Sequence, residues 1–168
     1  MIRYLYRSLL VCSVLVITAC GFHLRGSPGS IPMTFKTLSI VGENKTVLAQ
    51  TLADVMRGQV IMIQAPAPAE VIVELGEVQH SKNVSVKDSQ GRVSEYRLYS
   101  NVTIQAYAAN KDQLIKPVTL SISRTLSTGN GYDTGIDLEL SRLYGTMDAE
   151  LANQIQYRLR AIKLNTQP

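Results

Sequence analysis

At 168 residues the chain has room for one domain of ordinary size, or a domain plus a removable segment, and not for two compact domains. A hydrophobic content of 45% with 18% charge excludes a disordered, collagen-like or polytopic membrane protein, and no repeat points to a solenoid. A formal charge of +4 hints at an anionic partner and two cysteines hint at one disulfide, but both hints depend on processing.

Arg3 and Arg7 supply a positive start, and Leu9 to Ile17 form an apolar run broken only by Cys12 and Ser13. That run falls short of the roughly 20 residues a transmembrane helix needs and gives way to Thr18-Ala19-Cys20-Gly21, so it reads as an export signal. Ile17-Thr18-Ala19-Cys20 has the aliphatic, small, small, cysteine order of a bacterial lipobox. Ordinary signal cleavage prefers a small residue where Ile17 stands, and an uncleaved anchor needs a longer apolar segment. The expectation is therefore that residues 1–19 are removed and that Cys20 carries diacylglycerol on its sulfur and an acyl chain on its amine. One chain anchors only reversibly, at about 0.8 kcal/mol per buried methylene, whereas several hold almost permanently. In enteric-type sorting an Asp after the lipidated cysteine favours the inner membrane. Gly21 is not that signal, so the expected location is the outer membrane, on its periplasmic side.

Processing changes the arithmetic. It takes Arg3 and Arg7 from the 17 basic residues and none of the 13 acidic ones, so the charge falls from +4 to +2. Cys12 also leaves, and the sulfur of Cys20 is spent on lipid, so neither a disulfide nor a cysteine metal site is expected.

The mature chain opens with a tether over 20–35, in which the Ser/Gly/Pro stretch Ser27 to Pro32 suits neither helix nor central strand. Thr37 to Val41 is β-branched and short, a first strand ended by Gly42. Asn44 is placed to cap a helix whose Val47, Leu48, Leu52, Val55 and Met56 share one face until Gly58. Val60 to Ile63 reads as a short strand, followed by a proline-bearing connector, Ala65 to Ala69.

From Val71 the period is two. Val71, Val73, Leu75 and, past an irregularity at Gly76, Val78, Val84 and Val86 suggest a strand. Asp88-Ser89-Gln90-Gly91 is a hairpin turn by its chemistry. The returning strand sets Tyr96, Leu98, Val102, Ile104, Ala106 and Ala108 on one face against Glu95, Arg97, Tyr99, Asn101, Thr103, Gln105 and Tyr107 on the other. After a turn at Asn110-Lys111-Asp112, Val118, Leu120, Ile122 and Leu126 alternate with Thr119, Ser121, Ser123 and Thr125, one face oily and one all hydroxyl. Thr128 to Gly135 reads as a glycine-rich loop. Asp137 is placed to open a last helix that carries Leu140, Leu143, Tyr144, Met147, Leu151, Ile155, Leu159 and Ile162 at helical spacing, with a bend or fresh start expected at Gly145.

These elements predict an α+β domain over 36–164 with a short tail at 165–168. The architecture expected is a two-layer sandwich, in which a mixed, mostly antiparallel sheet of about four strands carries two helices packed on one face. The other sheet face is polar, which suits bulk water or the polar lumen of a β-barrel equally.

The chemistry-bearing groups are few. His23 lies beside the anchor. Glu74, Glu77 and His80 invite a metal reading, but on a regular strand Glu77 points away from the other two, and no metal is expected. No nucleophile elbow, phosphate loop, zincin helix or dinucleotide fingerprint occurs, so neither an enzyme nor a cofactor beyond the covalent lipid is expected. A mature charge of +2 without a basic stripe argues against nucleic acid. The basic concentration is Lys82, Lys87 and Arg92 around the hairpin tip, with Arg97 further along. These residues suit phosphates or acidic sugars, and equally suit plain protection of strand edges.

Behind the lipobox, Cys20-Gly21-Phe22-His23-Leu24-Arg25-Gly26 resembles the opening of the LPS-assembly lipoprotein LptE family, and Gly91-Arg92-Val93-Ser94-Glu95-Tyr96 resembles its stretch after the hairpin. Element order and length agree over nearly the whole mature chain. The resemblance implies a non-enzymatic outer-membrane lipoprotein that plugs the barrel LptD, assists that barrel's assembly and helps deliver lipopolysaccharide to the outer leaflet. No glycolipid-binding position is carried over from the family; Lys82, Lys87, Arg92 and Arg97 are candidate lipopolysaccharide contacts by their charge alone. The alternative is a free periplasmic-facing lipoprotein that binds or carries an amphiphile between sheet and helices.

Overall fold

The computed structural model describes residues 32–43, 46–128 and 133–164, with the backbone alone for 133 and 134. Cys20, His23 and the rest of 1–31 lie outside the described residues, as do Asn44 and the tail 165–168. In chain order the elements are β1 (Thr37–Gly42), α1 (Val47–Met56), β2 (Ile61–Met62), β3 (Val71–Leu75), β4 (Gln79–Lys87), β5 (Val93–Ala108), β6 (Gln113–Ser127) and α2 (Asp133–Arg160).

The N-cap of α1 is Thr46, whose hydroxyl accepts the Ala49 N–H at 3.3 Å and donates to the Glu43 carbonyl at 2.9 Å. The helix stops at Met56 because Arg57 is extended and Gly58 follows with φ +81°. Its buried side chains, Leu48, Ala49, Leu52 and Met56, keep the three-to-four spacing read from the sequence.

The sheet has six strands rather than about four, and it is more mixed than mostly antiparallel implies. β1 runs parallel to both β2 and β3, while β5 runs antiparallel to β3, β4 and β6. One additional strand arises from a break in what reads as one strand from Val71 to Val86. Gly76 N–H donates to the Thr103 carbonyl at 2.8 Å, and the regular ladder resumes only at Gln79 opposite Asn101. β3 and β4 therefore occupy one side of β5 in succession, with β6 on the other. At 16 residues and roughly 3.3 Å per residue, β5 is a spine of about 50 Å along which β3, β4 and β6 all pair.

Both helices lie on one face. Leu38, Val71, Val73, Leu75, Leu98, Val102, Ile104, Leu120, Ile122 and Leu126 from the sheet meet Leu48, Leu52, Met56, Met147, Leu151, Ile155 and Leu159 from the helices in one core. Each such side chain contributes about 1.5–3 kcal/mol by leaving water, which is why the periodicity controls the architecture. Helix α2 begins four residues before Asp137, inside the segment read as a loop, and runs unbroken through Gly145 for 28 residues. At roughly 1.5 Å per residue that length is about 42 Å, yet no helix among the described residues is apolar enough to cross a membrane. Val84 and Val86, read as core positions, are 51% and 44% exposed: both lie on β4, at the edge of the sheet, and a register irregularity between them sets Val86 opposite Glu95.

Candidate functional site

Three surfaces carry polar chemistry, and the sheet positions each. The first lies where β4 passes α2. The break at Gly76 shifts the parity of the chain by one residue, so the core-facing series Val71, Val73, Leu75 continues as Val78 and His80. His80 therefore faces the helices, where its Nε2–H donates to Asp148 Oδ1 at 2.9 Å and its ring stacks on Tyr144 at 4.3 Å and 10°. The Asp148 side chain is 9% exposed and that of His80 33%. Burial pushes the Tyr144 phenol above its ordinary value. These residues, with Val47, Asp137, Leu140, Ser141 and Gly145, line an open groove of about 590 Å³.

The same shift overturns the spacing argument that put Glu74 and His80 on one side. Glu74 accepts from Gln105 Nε2 at 2.7 Å on the face away from the helices, opposite to His80. No group of three or more His, Cys, Asp or Glu able to hold a metal occurs among the described residues. Asp148 and Tyr144 were missed as partners for His80. A signal existed for the first: Asp148 precedes Leu151, Ala152 and Ile155 on the buried stripe, where a carboxylate needs a partner.

The second surface is the hairpin tip. Asp88 builds it, since Oδ1 accepts the N–H groups of Gln90 and Arg92 at 2.9 Å, while Gly91 supplies φ +80°. Arg92 Nε donates to Asp88 Oδ2 at 2.8 Å, and this hydrogen bond is the largest cause holding the Asp88 carboxyl below its ordinary value. The four basic residues are not brought to one spot. Lys82 lies on the helix-side face with its Nζ 4.8 Å from the Tyr96 ring centroid, Arg97 lies on the opposite face between Asn83 and Thr125, and Lys87 pairs with Val93 beyond two register irregularities.

The third surface is the sheet face away from the helices. Thr103 and Thr119 share a hydroxyl hydrogen bond of 2.9 Å there, and Thr119, Ser121, Ser123 and Thr125 are all exposed, joined by Arg97 and Glu74. Neither helix covers this face. It offers many neutral donors and acceptors, with Val41, Ile72, Tyr99 and Tyr107 half-buried among them.

Against known proteins, the lipopolysaccharide-assembly model of LptE matches residues 35–159. The chain belongs to the LptE family. LptE-like folds in solved structures agree with the architecture. Rare lipoprotein B from Shewanella oneidensis is 17% identical with a TM-score of 0.67, over 75% of this chain and 95% of that one. Lipoprotein B from Nitrosomonas europaea is 21% identical with a TM-score of 0.66, over 83% and 88%. A minor lipoprotein from Acinetobacter baumannii is 20% identical with a TM-score of 0.61, over 77% and 94%. At such identities the likeness speaks for the LptE fold alone, and the family match speaks for a lipopolysaccharide-assembly lipoprotein.

Proposed function

We propose that this LptE-family protein is a non-catalytic outer-membrane lipoprotein, held by acyl chains on Cys20 after removal of residues 1–19. It seats its polar sheet face in the lumen of the barrel LptD, assists barrel assembly and helps pass lipopolysaccharide to the outer leaflet. The observation that carries the reading is the uncovered hydroxyl face of β5 and β6. A barrel lumen is polar, and many modest hydrogen bonds with bridging water bind such a face without an apolar interface. In this reading the hairpin cations Lys82, Lys87, Arg92 and Arg97 are candidate lipopolysaccharide contacts, acting from two faces and a tip rather than as one patch.

The free-carrier alternative draws support from the groove beside His80, which opens between helices and sheet. Its lining holds Asp137 and Asp148 and no Lys or Arg, a poor match for a phosphorylated amphiphile. Affinity purification from outer membranes decides between them. A stoichiometric barrel partner that survives detergent is the expected result, and a monomer that carries lipid and no barrel would overturn the proposal. Separately, Cys20→Ala should abolish palmitate labelling.

A further inference from the structure

Among the described residues β6 pairs with β5 alone, so one long side of the sheet ends there. The direction of its backbone groups follows from a single bond and the register. Thr128 N–H donates to the Ser94 carbonyl at 2.9 Å, and antiparallel ladders alternate bonded with non-bonded pairs. The bonded pairs are therefore every second one, from Tyr96 and Leu126 to Ile104 and Val118. Thr119, Ser121, Ser123, Thr125 and Ser127 aim N–H and C=O away from β5. Two further bonds agree: the Ser123 carbonyl accepts from Arg124 Nη1 at 3.2 Å outside the ladder, and the carbonyl of Thr103, opposite Thr119, points across β5 to Gly76.

Elsewhere the outermost strands are closed by their length or chemistry. β2 is two residues long, β4 carries Lys82 and Lys87 with two register irregularities, and β6 itself starts with Lys116 and Pro117. Each is a device that stops another strand from adding. Residues 118–127, roughly 33 Å at about 3.3 Å per residue, hold no proline and a single charge, Arg124. Glu150 of α2 holds that guanidinium, which covers the Ser123 carbonyl and leaves the other outward groups unpaired among the described residues. An open edge of this length is a template for an extended chain.

We propose that an extended segment of the barrel partner adds to β6 along residues 119–127 as a further strand. The inference rests on the lumen reading and deepens it, since the face names the side that meets the barrel and the edge names how the two chains join. Face and edge are continuous, because Thr119, Ser121, Ser123 and Thr125 supply the hydroxyls of one and the outward backbone of the other. A closed barrel wall has no free edge, so the added segment is a loop or terminal stretch of the partner that enters the lumen. Its chemistry follows from the template: extended, without proline where it donates to β6, and with polar side chains on the hydroxyl face. Pairing with a second copy would instead draw β6 away from the lumen wall.

The test uses the full mature chain, alone in detergent and in the complex recovered from outer membranes, with amide exchange read residue by residue. In the complex the amides of Thr119, Ser121, Ser123 and Thr125 should slow at least about tenfold, while those of Leu120 and Ile122, already bonded to β5, are slow in both. Ser121→Pro deletes an outward N–H and no ladder bond, and Ser121→Ala reports loss of the hydroxyl by itself. Recovery of the barrel with S121P should fall about tenfold below that with S121A, the worth of one backbone bond and an acceptor left unpaired. Equal recovery with the two variants, or four amides as fast in the complex as in the chain alone, would overturn the edge pairing and leave the lumen reading standing. Protection of the same amides in the chain alone, rising with its concentration, assigns the edge to a second copy and also overturns it. An unmodified chain that brings no barrel out of the membrane sinks both.

Discussion

At the scale of single residues, two carboxylates hold the β4–β5 hairpin, one at each end. Asp148 reaches it from α2 through His80, a pairing 68 positions apart in the chain. Because His80 is a third exposed, the pair contributes modestly. Either His80→Ala or Asp148→Ala should cost about 1–2 kcal/mol in urea unfolding, and the double-mutant cycle should return a coupling of about 1 kcal/mol. Asp88 holds the tip, and its depressed carboxyl sets the sign of a pH effect. The unfolded chain takes up the proton first, so the tip contribution is complete above the ordinary value of 3.8 and disappears as pH falls through the lower folded one. The protection of the Gln90 and Arg92 amides, their exchange relative to the intrinsic rate at each pH, should therefore hold at pH 5 and be lost only in stronger acid, and in Asp88→Ala it should be low at both. His80 was legible as an isolated group on or beside a strand. Its partners were not, because a contact between a strand and a distant helix leaves no spacing to read.

At the scale of elements, the legible parts were those whose burial repeats. The alternation in β6 and the stripe of α2 from Met147 to Leu159 stand in the structure as they do in the sequence, while Ile162, read as part of that helix, is buried just past its end at Arg160. The misread parts turn on glycines that packing overrides or exploits. Gly135 and Gly145 suggested a loop and a bend, yet each costs a helix only about 1 kcal/mol, less than the buried stripe returns. Gly76 suggested an irregularity but not that it would divide one strand into two and exchange their faces. Two substitutions separate these cases. A Cβ at Gly145 meets nothing within 4 Å, so Gly145→Ala should raise stability by about 0.5–1 kcal/mol. At Gly42, φ is +82° and a Cβ would approach the Leu75 carbonyl oxygen to 2.3 Å, so Gly42→Ala should cost about 2–4 kcal/mol. Chemical denaturation of both variants checks the contrast.

At the scale of the whole molecule, the two-layer design was readable, because an apolar face recurred on every long element and could only be hidden by stacking them. What a polar sheet face meets was not readable, since water and a polar lumen ask the same residues of it. Thr119→Arg addresses that choice. The site is exposed, so its stability should change by less than about 0.5 kcal/mol, whereas recovery of a barrel partner in outer-membrane purification should fall sharply. An unchanged recovery would place the contact elsewhere on the chain.

The position of β1 between β2 and β3, parallel to both, governs the order in which the fold can close. Each antiparallel neighbour of β5 among β4 and β6 is a hairpin partner that forms from adjacent chain, but Leu38 must wait for Val71 and for the helix between. The first strand to be made is thus among the last to be placed. Leu38→Ala should hasten unfolding several-fold in stopped-flow experiments while leaving refolding nearly unchanged. Under the export and lipidation proposed above, late closure would leave the segment nearest the N-terminus open to processing until the remainder of the sheet exists.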